Sequence, residues 1–113
     1  MSTVEIHVGG SFEDTKRRAL DAVARFDRGE SVEEHHLTFE TWATLARVMT
    51  ANRLELLRHV HRHPPRSIRA LAMALGRDYK CVHEDVEALV EAGLLDRGDA
   101  GLRADYDAIQ IAM

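Results

Sequence analysis

Residues 75–95 read "LGRDYKCVHEDVEALVEAGLL". The fold turns on whether this is a second helix, entered from a first across a tight turn. Upstream, "IRALAMAL" places Ile68, Leu71, Ala72 and Leu75 at helical spacing, with Ser67 as a cap and Gly76 as a stop. Asp78 then caps a helix that runs to Ala92, where Gly93 supplies a left-handed stop. Helix, short Gly-containing turn, helix is the helix-turn-helix signature. On the second helix Val82, Val86, Leu89 and Val90 cluster on one side and face a core. The opposite side carries Lys80, Glu84, Glu87 and Glu91 with Cys81 and Ala88 beside them, and Tyr79 and His83 lie on the flank. The outward face thus starts basic and turns acidic.

Working outward, Pro64-Pro65 ends the preceding helix, because the residue before a proline avoids the α region. That helix is "ANRLELLRHVHRH", capped by Thr50, with Leu54, Leu57 and Val60 inward. Before it, Trp42, Leu45, Ala46 and Met49 recur at i, i+3, i+4 and i+7, which suits either core and dimer interface or a ligand pocket. After Gly93, "LLDR" and "LRAD" flank "GDAG", a β-hairpin with a Gly-rich turn that reads as a wing. The last residues alternate, with Ile109, Ile111 and Met113 on one side.

At the other end "TVEIHV" alternates Val4, Ile6 and Val8 against Glu5 and His7, the period of a half-buried strand. Gly9-Gly10 breaks it, Ser11 with Asp14 resembles a capping box, and a helix follows to about Asp27 with Ala19, Leu20, Val23 and Phe26 as its apolar stripe; Gly29 stops it. Residues 30–36 read as a polar loop, and "HLTF" as a short strand able to partner the first. The winged core alone offers Val4, Ile6 and Val8 little cover, so burial against a partner subunit is expected.

The chain has 113 residues, enough for one domain or a small domain with an arm. Its N-terminus reads without a secretory signal, and no stretch approaches the roughly 20 apolar residues of a membrane span. A single cysteine, Cys81, excludes an internal disulfide and suits a reducing cytoplasm. The net charge of −4 is unevenly spread. Residues 50–80 hold seven Lys/Arg against two Asp/Glu, whereas residues 81–113 hold two against eight. A basic patch on an acidic body can still direct binding to phosphate.

The order "TANRLELLRHV", then "PPRSIRALAMALGRDYKCVHEDVEALVEAGLL", resembles a family of small prokaryotic winged helix-turn-helix proteins, well populated in archaea, that belong broadly with the MarR and ArsR groups. The resemblance covers about residues 39–97 well and the N-terminal part more loosely. It implies a cytoplasmic, dimeric DNA-binding regulator whose second motif helix enters the major groove. Some members resemble antitoxins that repress their own operon. The family often has asparagine where this chain has Cys81, and since asparagine reads adenine the bases read here stay open.

In helix-turn-helix docking the first residues of the second helix touch base edges and later turns move away. Arg77, Tyr79, Lys80, Cys81 and His83 are therefore the expected reading end, next to a helix N-terminus that favours a phosphate. Glu84 can accept from a cytosine amino group or repel a phosphate. Arg66, Ser67 and Arg69 stand where the first motif helix crosses the backbone, and Arg97 and Arg103 where the wing reaches it.

Other chemistry is less well supported. His59 and His63 are at i, i+4 and can share an ion, but His61 points elsewhere and no second cysteine exists, so these and His35-His36 read as solvated or phosphate-facing. Cys81 and His83 are two apart on a helix and do not face each other. No Gly-rich phosphate loop, Gly-x-Ser-x-Gly or His-Glu-x-x-His occurs. The expectation is an α+β, mainly α protein that is not an enzyme and needs no cofactor or metal. Residues 1–39 form a strand-helix arm used in dimerisation, and residues 40–113 a winged helix-turn-helix that binds double-stranded DNA as a homodimer and represses transcription. The alternative is an antitoxin or adaptor whose acidic C-terminal third masks a basic protein partner such as a toxin.

Overall fold

The computed structural model describes residues 2–9, 12–28 and 34–112, with the side chains of 12–15, 22, 25, 26 and 34 outside the description. The expected roles of Gly10, Ser11, Asp14, Phe26, Gly29 and Met113 thus lie outside the described residues. Among those described, five helices and two small sheets make a mixed α+β fold. No described helix is long and apolar enough to cross a membrane.

Strand β1 (Thr3–Val8) is the centre of a parallel three-stranded sheet, flanked by β2 (Glu34–Phe39) and β5 (Ala108–Ala112). Parallel neighbours need a crossover, and helix α1 (Phe12–Asp27) lies in the connection from β1 to β2. The strand at β2 begins at Glu34, within the segment expected to be loop, because its register runs from Thr3↔Glu34 to Val8↔Phe39. Ile6 sits between Leu37 and Ile111, so Val4, Ile6 and Val8 share a face with Leu37, Phe39, Ile109 and Ile111. The other face carries Glu5, His7 and His36.

The apolar sheet face joins one core with helices α2 (Trp42–Val48), α3 (Ala51–Arg62), α4 (Ile68–Leu75) and α5 (Tyr79–Ala92). Val4 and Ile6 are buried within the chain itself, which corrects the expectation that they wait for a partner subunit: β2 and β5 flank them, and the helices cover them. A fully buried side chain of this kind contributes about 1.5–3 kcal/mol. On α3 the buried stripe is Leu56, Leu57 and Val60, and Leu54, expected inside, is exposed.

Helix α1 differs from expectation in its packing. Leu20 is 60% and Val23 57% exposed. The apolar face of the sheet joins the core shared by α2 to α5, while α1 sets Arg18 near His7 on the polar side. The two ends of the chain are tied by Asp107, whose N–H donates to the Ser2 carbonyl at 2.8 Å, and by the Ser2 hydroxyl, which donates to the Asp105 carbonyl at 3.0 Å.

Candidate nucleic-acid interface

Each helix of the pair is fixed at its ends by the residues the sequence offers. Ser67 Oγ accepts from the Ala70 N–H at 3.0 Å and starts α4, which ends at left-handed Gly76. The Arg77 N–H donates to the Ala72 carbonyl, a Schellman closure that turns the chain sharply. Asp78 then accepts from the Cys81 N–H at 3.3 Å and starts α5. Asp78 thereby places a carboxylate on the helix N-terminus, the position expected to favour a phosphate. Val82, Val86 and Leu89 bury one side of α5 and leave Tyr79, Lys80, Cys81, Glu84, Glu87 and Glu91 exposed.

Strands β3 (Asp96–Gly98) and β4 (Gly101–Arg103) form an antiparallel hairpin with Asp96 opposite Arg103. The hairpin is clipped to the loop before α4: the Leu102 N–H donates to the Pro65 carbonyl at 3.0 Å. Gly101 makes this approach possible. Its φ is +117°, and a Cβ there would lie 2.2 Å from the Pro65 oxygen.

This clip closes a cleft of about 270 Å³ between the start of α4, the start of α5 and the hairpin. Arg66, Ser67, Arg69, Tyr79 and Arg97 line it together with backbone and apolar atoms, and no carboxylate does. Five of the eleven expected contact residues thus converge. Arg66, Arg69 and Lys80 are exposed, and among the described residues none has an ion-pair partner.

The remaining expected residues are placed differently. Arg77 does not join the exposed row: its Nη2 meets Asp85 Oδ2 at 2.7 Å, while Arg53 Nε meets Asp85 Oδ1 at 2.9 Å. Arg97 also reaches Glu87 at 3.0 Å, and His83 lies 3.6 Å from the same carboxylate. The His83 ring lies against that of Tyr79, centroids 5.8 Å apart. Arg103 stands 4.0 Å from Asp105, outside the cleft. Cys81 and Glu84 are exposed on α5.

The histidines separate into groups. His61 Nδ1 is 2.8 Å from the Ala104 carbonyl, away from His59 and His63, whose rings lie 5.3 Å apart. On the polar sheet face His7, Glu5 and His36 come together, a grouping the sequence did not suggest because it needs the β1–β2 register. Burial holds the His7 imidazole below its ordinary pKa, helped by Arg18 and His36 and opposed by Glu5.

The architecture defines an α+β domain in which a helix–turn–helix–hairpin unit is backed by a parallel sheet. Residues 48–111 match the HVO_A0114 family, and the chain belongs to that family. No curated protein and no solved structure matches it.

Proposed function

We propose that this protein is a winged helix-turn-helix regulator of the MarR/ArsR kind that binds double-stranded DNA in the cytoplasm as a homodimer and represses transcription. The observation that carries the reading is the cleft where Arg66, Ser67, Arg69, Tyr79 and Arg97 meet, lined by no carboxylate although Arg97 is paired with Glu87 beside it. Arginines and a hydroxyl at the start of one helix, an aromatic at the start of the next and a hairpin beside them suit a phosphate strand passing between helix and wing. Lys80, one position into α5, adds a cation beside that phosphate strand, and Cys81, His83 and Glu84 stand within reach of base edges. Glu87 and Glu91 stand on later turns, which move away from the duplex. Arg77 is assigned to holding α5 rather than to DNA.

The exposed Leu20 and Val23 on α1 support dimerisation through residues 1–39. A two-fold dimer would read half-sites roughly 34–36 Å apart. A gel shift with DNA from upstream of the gene tests the reading. A retarded band that a long excess of unrelated duplex competes away only weakly is expected, and no band at low salt would remove the proposal. Co-purification of a basic protein partner by a chain that shifts no DNA would favour the antitoxin or adaptor alternative.

A further inference from the structure

The polar face of the sheet carries a second feature, separate from the cleft and independent of any role in DNA binding. Glu5 and His7 are two apart on β1 and so point to the same side. His36 on β2 is in register with Glu5. One nitrogen or oxygen from each of the three lies within 4.8 Å of the others. His7 Nε2 is 2.9 Å from His36 Nδ1 and 3.3 Å from Glu5 Oε1. The His7 side chain is only 11% exposed, while Glu5 is 32% exposed, so the group is anchored in the sheet at His7 and open to solvent beside it.

We propose that Glu5, His7 and His36 form a binding site for a divalent transition-metal ion, zinc in the first instance. Two imidazole nitrogens facing each other at 2.9 Å must share a proton or exchange it for another electrophile. A tetrahedral zinc centre with bonds of about 2.0–2.1 Å spaces its ligand atoms about 3.3 Å apart. The observed 2.9 and 3.3 Å differ from that by a few tenths of an ångström, within the reach of small side-chain rotations. Two nitrogens and one carboxylate oxygen select a borderline ion over calcium or magnesium, which take oxygen donors. Three protein ligands leave a fourth position for water. Arg18 of α1 lies close enough to act on His7 through its charge, which opposes a cation at this position. Because the ligands come from both β1 and β2, an ion here crosslinks the strands on either side of the α1 connection.

Zinc titration into the metal-free full-length chain, followed by calorimetry and by thermal unfolding, tests this. Among the described residues, His59 with His63 and the exposed Cys81 are further donors that zinc can find, so the background is the triple variant H59Q/H63Q/C81S. That variant is expected to bind one zinc per chain and to unfold at higher temperature with zinc, since an ion held only by the folded state stabilises it. Cobalt(II) is expected to give the visible absorption of a tetrahedral centre. Adding H7Q or H36Q abolishes both signals, and E5Q weakens binding at least tenfold. As metal-free proteins these variants are checked for native circular dichroism; if H7Q disturbs the fold, H36Q and E5Q carry the test. R18Q is expected to tighten binding, an effect that disruption of the sheet would not produce. Stoichiometric zinc binding that survives H36Q and E5Q, or no binding and no thermal shift in the triple variant, overturns the proposal.

Discussion

Arg77 and Asp85 meet at 2.7 Å, and Arg53 closes on the other Asp85 oxygen at 2.9 Å. Asp85 is thus a single acceptor for two guanidiniums, one from the turn before α5 and one from α3. Arg53 also donates to the Arg47 and Val48 carbonyls, so the end of α2 is drawn into the same knot. Asp85 is 13% exposed, and removing it leaves two half-buried cations facing each other. D85N is expected to cost about 2–4 kcal/mol in urea unfolding. R77A, which spares the Arg53 bond, is expected to cost less, about 1–2 kcal/mol. An unchanged midpoint for D85N would contradict the structural role.

Gly101 meets the Pro65 carbonyl where a side chain has no room. G101A requires both a disfavoured φ and displacement of the clip, and a loss of about 2–4 kcal/mol is expected. If the hairpin positions Arg97 for DNA, affinity falls as well, even where the variant is still folded. Unfolding curves of G101A and G98A separate the effects: Gly98 has nothing within 4 Å, so G98A should be nearly neutral.

Tyr106 donates its hydroxyl to the Leu94 carbonyl at 2.7 Å. Burial pushes its pKa up to about 12 from the ordinary 10.0, aided by the nearby charge of Asp96. A raised pKa means the fold prefers the neutral phenol. The associated stability is complete below pH 10 and is lost as pH rises towards 12. The chain has two tyrosines, so in Y79F the ultraviolet absorbance of the phenolate reports Tyr106 alone. Titration close to pH 12 is expected; a midpoint at 10 would mean the hydrogen bond is not held in solution.

Leu20 and Val23 present an apolar stripe on α1 that the chain leaves uncovered. L20E/V23E is expected to convert a dimer to a monomer in sedimentation without altering the thermal unfolding of the core, since neither residue packs into it. A dimer that persists in this variant would move the interface elsewhere, for instance to the groove where Trp42, Leu54 and Ile111 are exposed beside β5.

The helix ends were legible because each is decided by neighbours in the chain. Ser67, Gly76, Asp78 and Gly93 act within four residues of where they stand. Alternation likewise marked β1 and the final strand. Their pairing was not legible, since Ile6 and Ile111 are brought together only after every helix between them has packed. On α3 the expected Leu57 and Val60 are buried, but Leu56 joins them in place of the exposed Leu54, and Arg53 turns inward to a partner on α5. Arg77 was misleading for a related reason. In sequence it is a cation in an exposed turn, and only the α3–α5 packing supplies its carboxylate. Glu5, His7 and His36 needed a parallel register that no local pattern encodes.

Salt dependence of DNA affinity tests the central claim most directly. Arg66, Arg69 and Lys80 from each protomer would neutralise about six phosphates, so log K should fall against log salt with a slope of roughly −5. Fluorescence anisotropy with the upstream duplex between about 50 and 200 mM salt covers the useful range. The account predicts that slope for the native protein, a decrease in its steepness of about 2 for K80A in a dimer, and no change for R77A beyond what its lower stability explains. Binding that ignores salt, or a K80A protein indistinguishable from native, would contradict it.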